Sequence, residues 1–173
     1  MRSDIARPLP GLRAGKLVGL SMLWITIAVL GADEPQLPVM KDGLWETHSQ
    51  QIIQGKKFET TIKMCKSHEM DKSMKAASEN MRKTNQCTEA VTQLSASSWS
   101  SESHCESGPL KGTVSKSTVS YQGDTATHME MHMTGSSENV TIMDSHYLGS
   151  CPADMKPGDA IMPDGTKMSM GAK

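Results

Sequence analysis

The chain is poor in aromatic residues, with one phenylalanine, two tyrosines and three tryptophans among 173 positions. Beyond position 32 only Trp45, Phe58, Trp99, Tyr121 and Tyr147 remain. A conventional core is therefore thin, and covalent staples have something to compensate for. Catalytic signatures are also missing. There is no G-x-S-x-G, H-E-x-x-H or G-x-G-x-x-G, so the recognisable hydrolase, zinc-peptidase and dinucleotide sites are not indicated. No basic cluster exceeds Lys56-Lys57. Phosphate-backbone binding runs on neutralising lysines and arginines, so nucleic acid is not an expected partner. Finally there is no C-x-x-C. The four cysteines, Cys65, Cys87, Cys105 and Cys151, are separated by 22, 18 and 46 positions, which fits neither a zinc ribbon nor a thioredoxin-like site.

Long hydrophobic runs are absent too, apart from one. Arg2, Arg7, Arg13 and Lys16 precede an almost wholly apolar stretch, Leu17 to Leu30, and Gly31-Ala32 follows as a small-residue step. Charged, apolar and small-residue regions in that order compose a signal peptide, and the run falls short of the roughly 20 residues that span a bilayer. Residues 1–32 are expected to be a signal peptide cleaved near Ala32, leaving no permanent membrane anchor. Asp33 after that site leaves no cysteine for lipid attachment. Four of the 18 basic residues and one of the 19 acidic lie in the leader, so the remainder carries a net charge of −4. An even cysteine count behind an export signal reads as a disulfide framework in an oxidising compartment, here the periplasm.

What remains suits one domain, 33–151, followed by an irregular tail rich in Met, Pro and Gly, 152–173. Leu44 to Ile53 and Phe58 to Cys65 read as a strand pair about the Gly55-Lys56-Lys57 turn. Met70, Met74, Ala77 and Met81 recur at helical spacing, predicting one helix over about Ser67–Arg82 whose apolar stripe packs on the sheet. Strands follow at Cys87–Ala96, Ser98–Ser107, Thr113–Tyr121, Thr125–Thr134 and Val140–Leu148, divided by turn residues. The expected fold is all-β with one inserted helix, an antiparallel meander curled into an open or partly closed barrel.

Lys41-Asp42-Gly43-Leu44-Trp45-Glu46 resembles the (K/R)-x-G-L-W-E opening of the DUF3617 proteins, a bacterial family of unknown function. Cys65 closing the second strand, the mid-chain pair Cys87 and Cys105, the Met-rich strand and the terminal Tyr147-Leu148-Gly149-Ser150-Cys151 match the same layout. The resemblance implies a small exported envelope protein. It implies no activity and no catalytic residues.

Four cysteines allow three connectivities, and sequence alone does not choose between them. The strand reading favours Cys87 with Cys105, which begin one strand of a hairpin and end the other and so sit side by side, and Cys65 with Cys151, both closing strands. The segment His128-Met129-Glu130-Met131-His132-Met133 holds the candidate metal ligands. Side chains alternate along a strand, so His128, Glu130 and His132 share one face and the methionines the other. The first row suits zinc or copper(II), the second copper(I). The competing reading makes the methionines flexible core filler and the polar trio a wet surface. Ser95 to Ser103 reads as ordinary filling on a wet face. The expected function is non-catalytic, without a cofactor: an envelope protein that binds a small lipophilic ligand or a protein partner. Divalent metal binding through His128, Glu130 and His132 is the alternative, and an enzyme with an unrecognised site the second.

Overall fold

The computed structural model describes residues 37–135 and 138–169; the expected signal peptide lies outside them. Nine strands form one open antiparallel sheet in the order β3-β4-β5-β6-β7-β1-β2-β8-β9. In chain order these are β1 (Gly43–Ile53), β2 (Lys56–Lys66), helix α1 (His68–Thr84), β3 (Cys87–Ser95), β4 (Ser98–Cys105), β5 (Val114–Gln122), β6 (Ala126–Thr134), β7 (Asn139–Gly149), β8 (Asp159–Ile161) and β9 (Lys167–Ser169). The sheet does not close, so the fold is the open form of the curled meander. Among the described residues no helix is long and apolar enough to cross a membrane.

Two expectations change. The tail is not wholly irregular: β8 pairs with β2 through Lys63–Ile161 and Met64–Ala160, and β9 pairs with β8. Met155 and Ala160 are buried there, which gives the tail a packing role that its lack of period concealed. The helix forms where its spacing predicts, with the Ser67 hydroxyl accepting from the Met70 N–H as N-cap. Its stripe, however, does not pack into a core. No residue of α1 is buried, and Met74 and Met81 are more than half exposed. The physical reason is topological: α1 must carry the chain from β2 to the far edge strand β3, so it works as a strap between them.

The Lys41–Glu46 motif shows why the ends of the domain meet. The Trp45 indole is buried, donates to the Lys41 carbonyl at 2.9 Å and meets the Tyr147 ring edge-on at 5.8 Å. Asp42 accepts from the His68 N–H at 2.8 Å, holding the first turn of α1, while Lys41 pairs with Asp124 at 3.5 Å. Gly43 has φ +145°, and a Cβ there would stand 2.3 Å from the Gly149 carbonyl oxygen and 2.6 Å from the Tyr147 ring. Backbone atoms cannot move aside as a flexible side chain can. We expect Gly43→Ala to cost more than about 1 kcal/mol in urea denaturation; an unchanged midpoint would mean the β1–β7 contact relaxes freely.

Cys87 is bonded to Cys105 and Cys65 to Cys151. The first closes the edge hairpin, where the two residues are direct cross-strand partners. The second spans 86 positions and fastens the end of β2 to the segment after β7. In the chain-entropy model the shorter loop stabilises by about 3 kcal/mol and the longer by roughly 4–5. Replacing Cys65 and Cys151 together by alanine should therefore lower stability more than replacing Cys87 and Cys105, as chemical denaturation would read; the reverse order would locate the weaker part of the fold at the edge hairpin.

Candidate functional site

Register divides the sheet into two chemically unlike faces. On the inner face, Trp99 pairs with Val119, Val119 with Met129, Met129 with Met143 and Met143 with Ser49. Beside that row run Ser101, Ser117, Met131 and Thr141, then Ser103, Ser115, Met133 and Asn139. Hydroxyl pairs cross the strands at Thr47–Ser145 (2.8 Å), Ser101–Ser117 (2.9 Å) and Ser103–Ser115 (3.0 Å). Such pairs satisfy polar groups within the sheet and hold its surface low, since neither partner projects far.

Ser101 and Ser103 thus belong to the inner face, contrary to the wet-face reading of Ser95 to Ser103. The period-2 series Trp99, Ser101, Ser103, Cys105 was the signal that could have placed them, because it begins and ends on buried residues. Met129, Met131 and Met133 lie on this face as alternation predicts, joined by Met143 from β7. All four are half-buried.

At one end the face becomes aromatic. Trp99 meets Tyr121 edge-on at 5.5 Å, and the Lys66 ammonium sits 5.1 Å from the Trp45 ring centroid. Trp99 is 4% exposed, and its indole Nε1 has no hydrogen-bond partner. Burial pushes the Lys66 pKa below its ordinary value against the pull of Asp71, and pushes that of Tyr121 above it with help from Asp71. Asp71 lies in the first turn of α1. Its charge acts on both residues.

The outer face carries the histidines. His128 Nδ1 lies 2.7 Å from Asp144, His132 Nε2 lies 2.8 Å from Glu130, and His146 Nε2 lies 3.3 Å from Glu46. His48 bonds the Thr61 hydroxyl at 3.0 Å. His128, Glu130 and His132 share this face but do not converge, since His128 turns toward β7. Among the described residues no group of three or more His, Cys, Asp or Glu side chains is placed to hold a metal ion. On this outer face an open depression of about 420 Å³ is lined by Ser100, Glu102, Lys116, Thr118, Glu130 and His132, and is also bordered by Ser101 and Ser117.

The class these features define is a disulfide-stapled, all-β domain: one open antiparallel sheet, a strap helix, and an inner face of hydroxyls and thioethers. The particular family follows from comparison. A family model described as a protein of unknown function (DUF3617) matches residues 40–151, and the chain belongs to that family. No curated protein and no solved structure matches it.

The perturbed pair at the aromatic end is open to titration. A raised tyrosine pKa stabilises the fold below 10.0, and that contribution is lost as pH climbs from there through the folded value. The lowered Lys66 pKa works in the opposite sense, its penalty fading as pH rises toward 10.5. With Tyr147→Phe leaving Tyr121 as the single tyrosine, ultraviolet difference titration should give a midpoint above 10.0. An ordinary midpoint would show Tyr121 to be solvated.

Proposed function

We propose that this is a non-catalytic, exported envelope protein of the periplasm whose inner sheet face binds a small lipophilic ligand. One observation carries the reading. The middle of that face is floored by short hydroxyl residues and half-buried methionines, and the buried apolar side chains are Trp45, Met64, Cys65, Trp99, Cys105, Met155 and Ala160. Bulky, interlocked inner positions would leave no room for a guest. Short ones leave more space there, and methionine adapts its shape to whatever apolar body arrives. The two disulfides are in keeping with an oxidising compartment.

Exposure of Met74 and Met81 on α1 supports a protein partner as a second reading, with the strap as the contact. The divalent-metal alternative has one supporting fact, that His128, Glu130 and His132 rise from the same face. It requires His128 to leave Asp144, and titration of zinc into wild type and His132→Ala would detect it.

The ligand reading is tested by displacement of a fluorescent long-chain fatty acid from the lipid-stripped protein. Wild type should bind saturably, and Ser117→Phe, which fills the floor beside Met131, should abolish binding while leaving the far-ultraviolet circular dichroism intact. No saturable binding by wild type, or equal binding by the filled variant, would remove the inner face as the site.

A further inference from the structure

We propose that the inner face also holds a cuprous ion, bound by the thioether sulfurs of Met129, Met131 and Met143. Met129 and Met143 are direct cross-strand partners of β6 and β7, and Met131 follows two positions along β6 on the same face. Cross-strand partners have Cβ atoms about 5 Å apart, with the next residue on that face within roughly 7–8 Å. Methionine has three rotatable bonds and no branch, so three such side chains can bring their sulfurs to one point above the row. Met133, opposite Asn139, stands at the end of the same line.

Core filling does not account for these residues. Where methionine fills the core of this protein, at Met64 and Met155, it is buried. Met129, Met131, Met133 and Met143 are each partly exposed instead. Four adaptable thioethers on one face of two adjacent strands, all only partly buried, offer a set of soft ligands.

Ligand type selects the ion. Thioether sulfur is soft and favours copper(I), whereas zinc and copper(II) prefer imidazole and carboxylate. The alternation of β6 sends those harder groups, His128, Glu130 and His132, to the opposite face. The sheet therefore separates soft from hard donors across its own thickness, and the inner site has no imidazole to draw in divalent ions. Val119 beside Met129 and Thr141 beside Met131 complete a neutral surround, suited to a monovalent cation with low hydration demand. This inference does not rest on the lipophilic-ligand reading, because it uses sulfur lone pairs and not apolar area.

The test is anaerobic competition for cuprous ion between the disulfide-intact protein and a chromogenic copper(I) chelator. Wild type should withdraw one equivalent saturably, and Met129→Leu/Met143→Leu should lose that capacity. Leucine keeps the apolar surface, so binding of the fluorescent fatty acid should persist in the same variant, and the two ideas fail separately. Met131→Leu alone provides a second reading if the double variant folds poorly. Met74→Leu/Met81→Leu and His128→Ala/His132→Ala should both retain the ion. The proposal is overturned if wild type does not compete with the chelator, if the leucine variants still bind, or if the capacity disappears with the helix methionines or the histidines.

Discussion

The structure depends on the backbone contact between Gly43 and Gly149. It lets β1 lie against β7, the first and last long strands of the chain, with Trp45 seated against Tyr147 where they meet. Everything distant in sequence is brought together by that seam. Asp42 beside it holds the start of α1, Lys41 reaches Asp124 in the β5–β6 turn, and Glu46 on the outer side is 3.5 Å from Lys63 of β2. Cys65–Cys151 fastens the same end covalently. In a chain with so few rings, the two largest fully buried side chains, Trp45 and Cys65, both belong to this end.

With the packing concentrated there, the rest of the sheet carries less of the core. Strands β3 to β6 are held by their ladders, by hydroxyl pairs and by the Cys87–Cys105 bond, and the face they present is shallow. A sheet can stand in this way because backbone hydrogen bonds are satisfied between strands even where side chains are small. The arrangement gives the two faces distinct chemistry: imidazole–carboxylate pairs outside, thioethers and hydroxyls inside. It also explains the helix. A strap needs only enough affinity for the sheet to cross it, and α1 has caps at its N-terminus and an Arg82–Glu89 pair near its C-terminus, not a buried stripe.

Much of this was legible in the sequence, because strand periodicity and turn residues are local signals. The seven long strands fall at their expected places within a few residues, and the alternation of β6 sorted His128, Glu130 and His132 from the methionines. Three things were not legible. Helical spacing marks one apolar side of Met70, Met74 and Met81 but does not say what stands opposite. The short strands β8 and β9 carry no period of their own and exist because Met64 of β2 offers Ala160 an edge. Met143 joins Met129 through register between strands, a relation that the letters of either strand do not contain.

The central position of β1 has a consequence for how the chain reaches this state. A polypeptide delivered N-terminus first presents β1 and Trp45 long before Asn139–Gly149 arrives to cover them, and open strand edges recruit other chains. The thiols meet the same schedule. Cys65 encounters Cys87 well before Cys151, whereas the final bonds are nested, with Cys87–Cys105 inside Cys65–Cys151. Oxidation in order of arrival would join the two ends of α1 and hold the strap in a tight ring. Escape from that ring goes through mixed disulfides, by attack of a remaining thiolate. If the thiols did oxidise in that order, the nested final pairing would be reached only through isomerisation of disulfides as well as their formation.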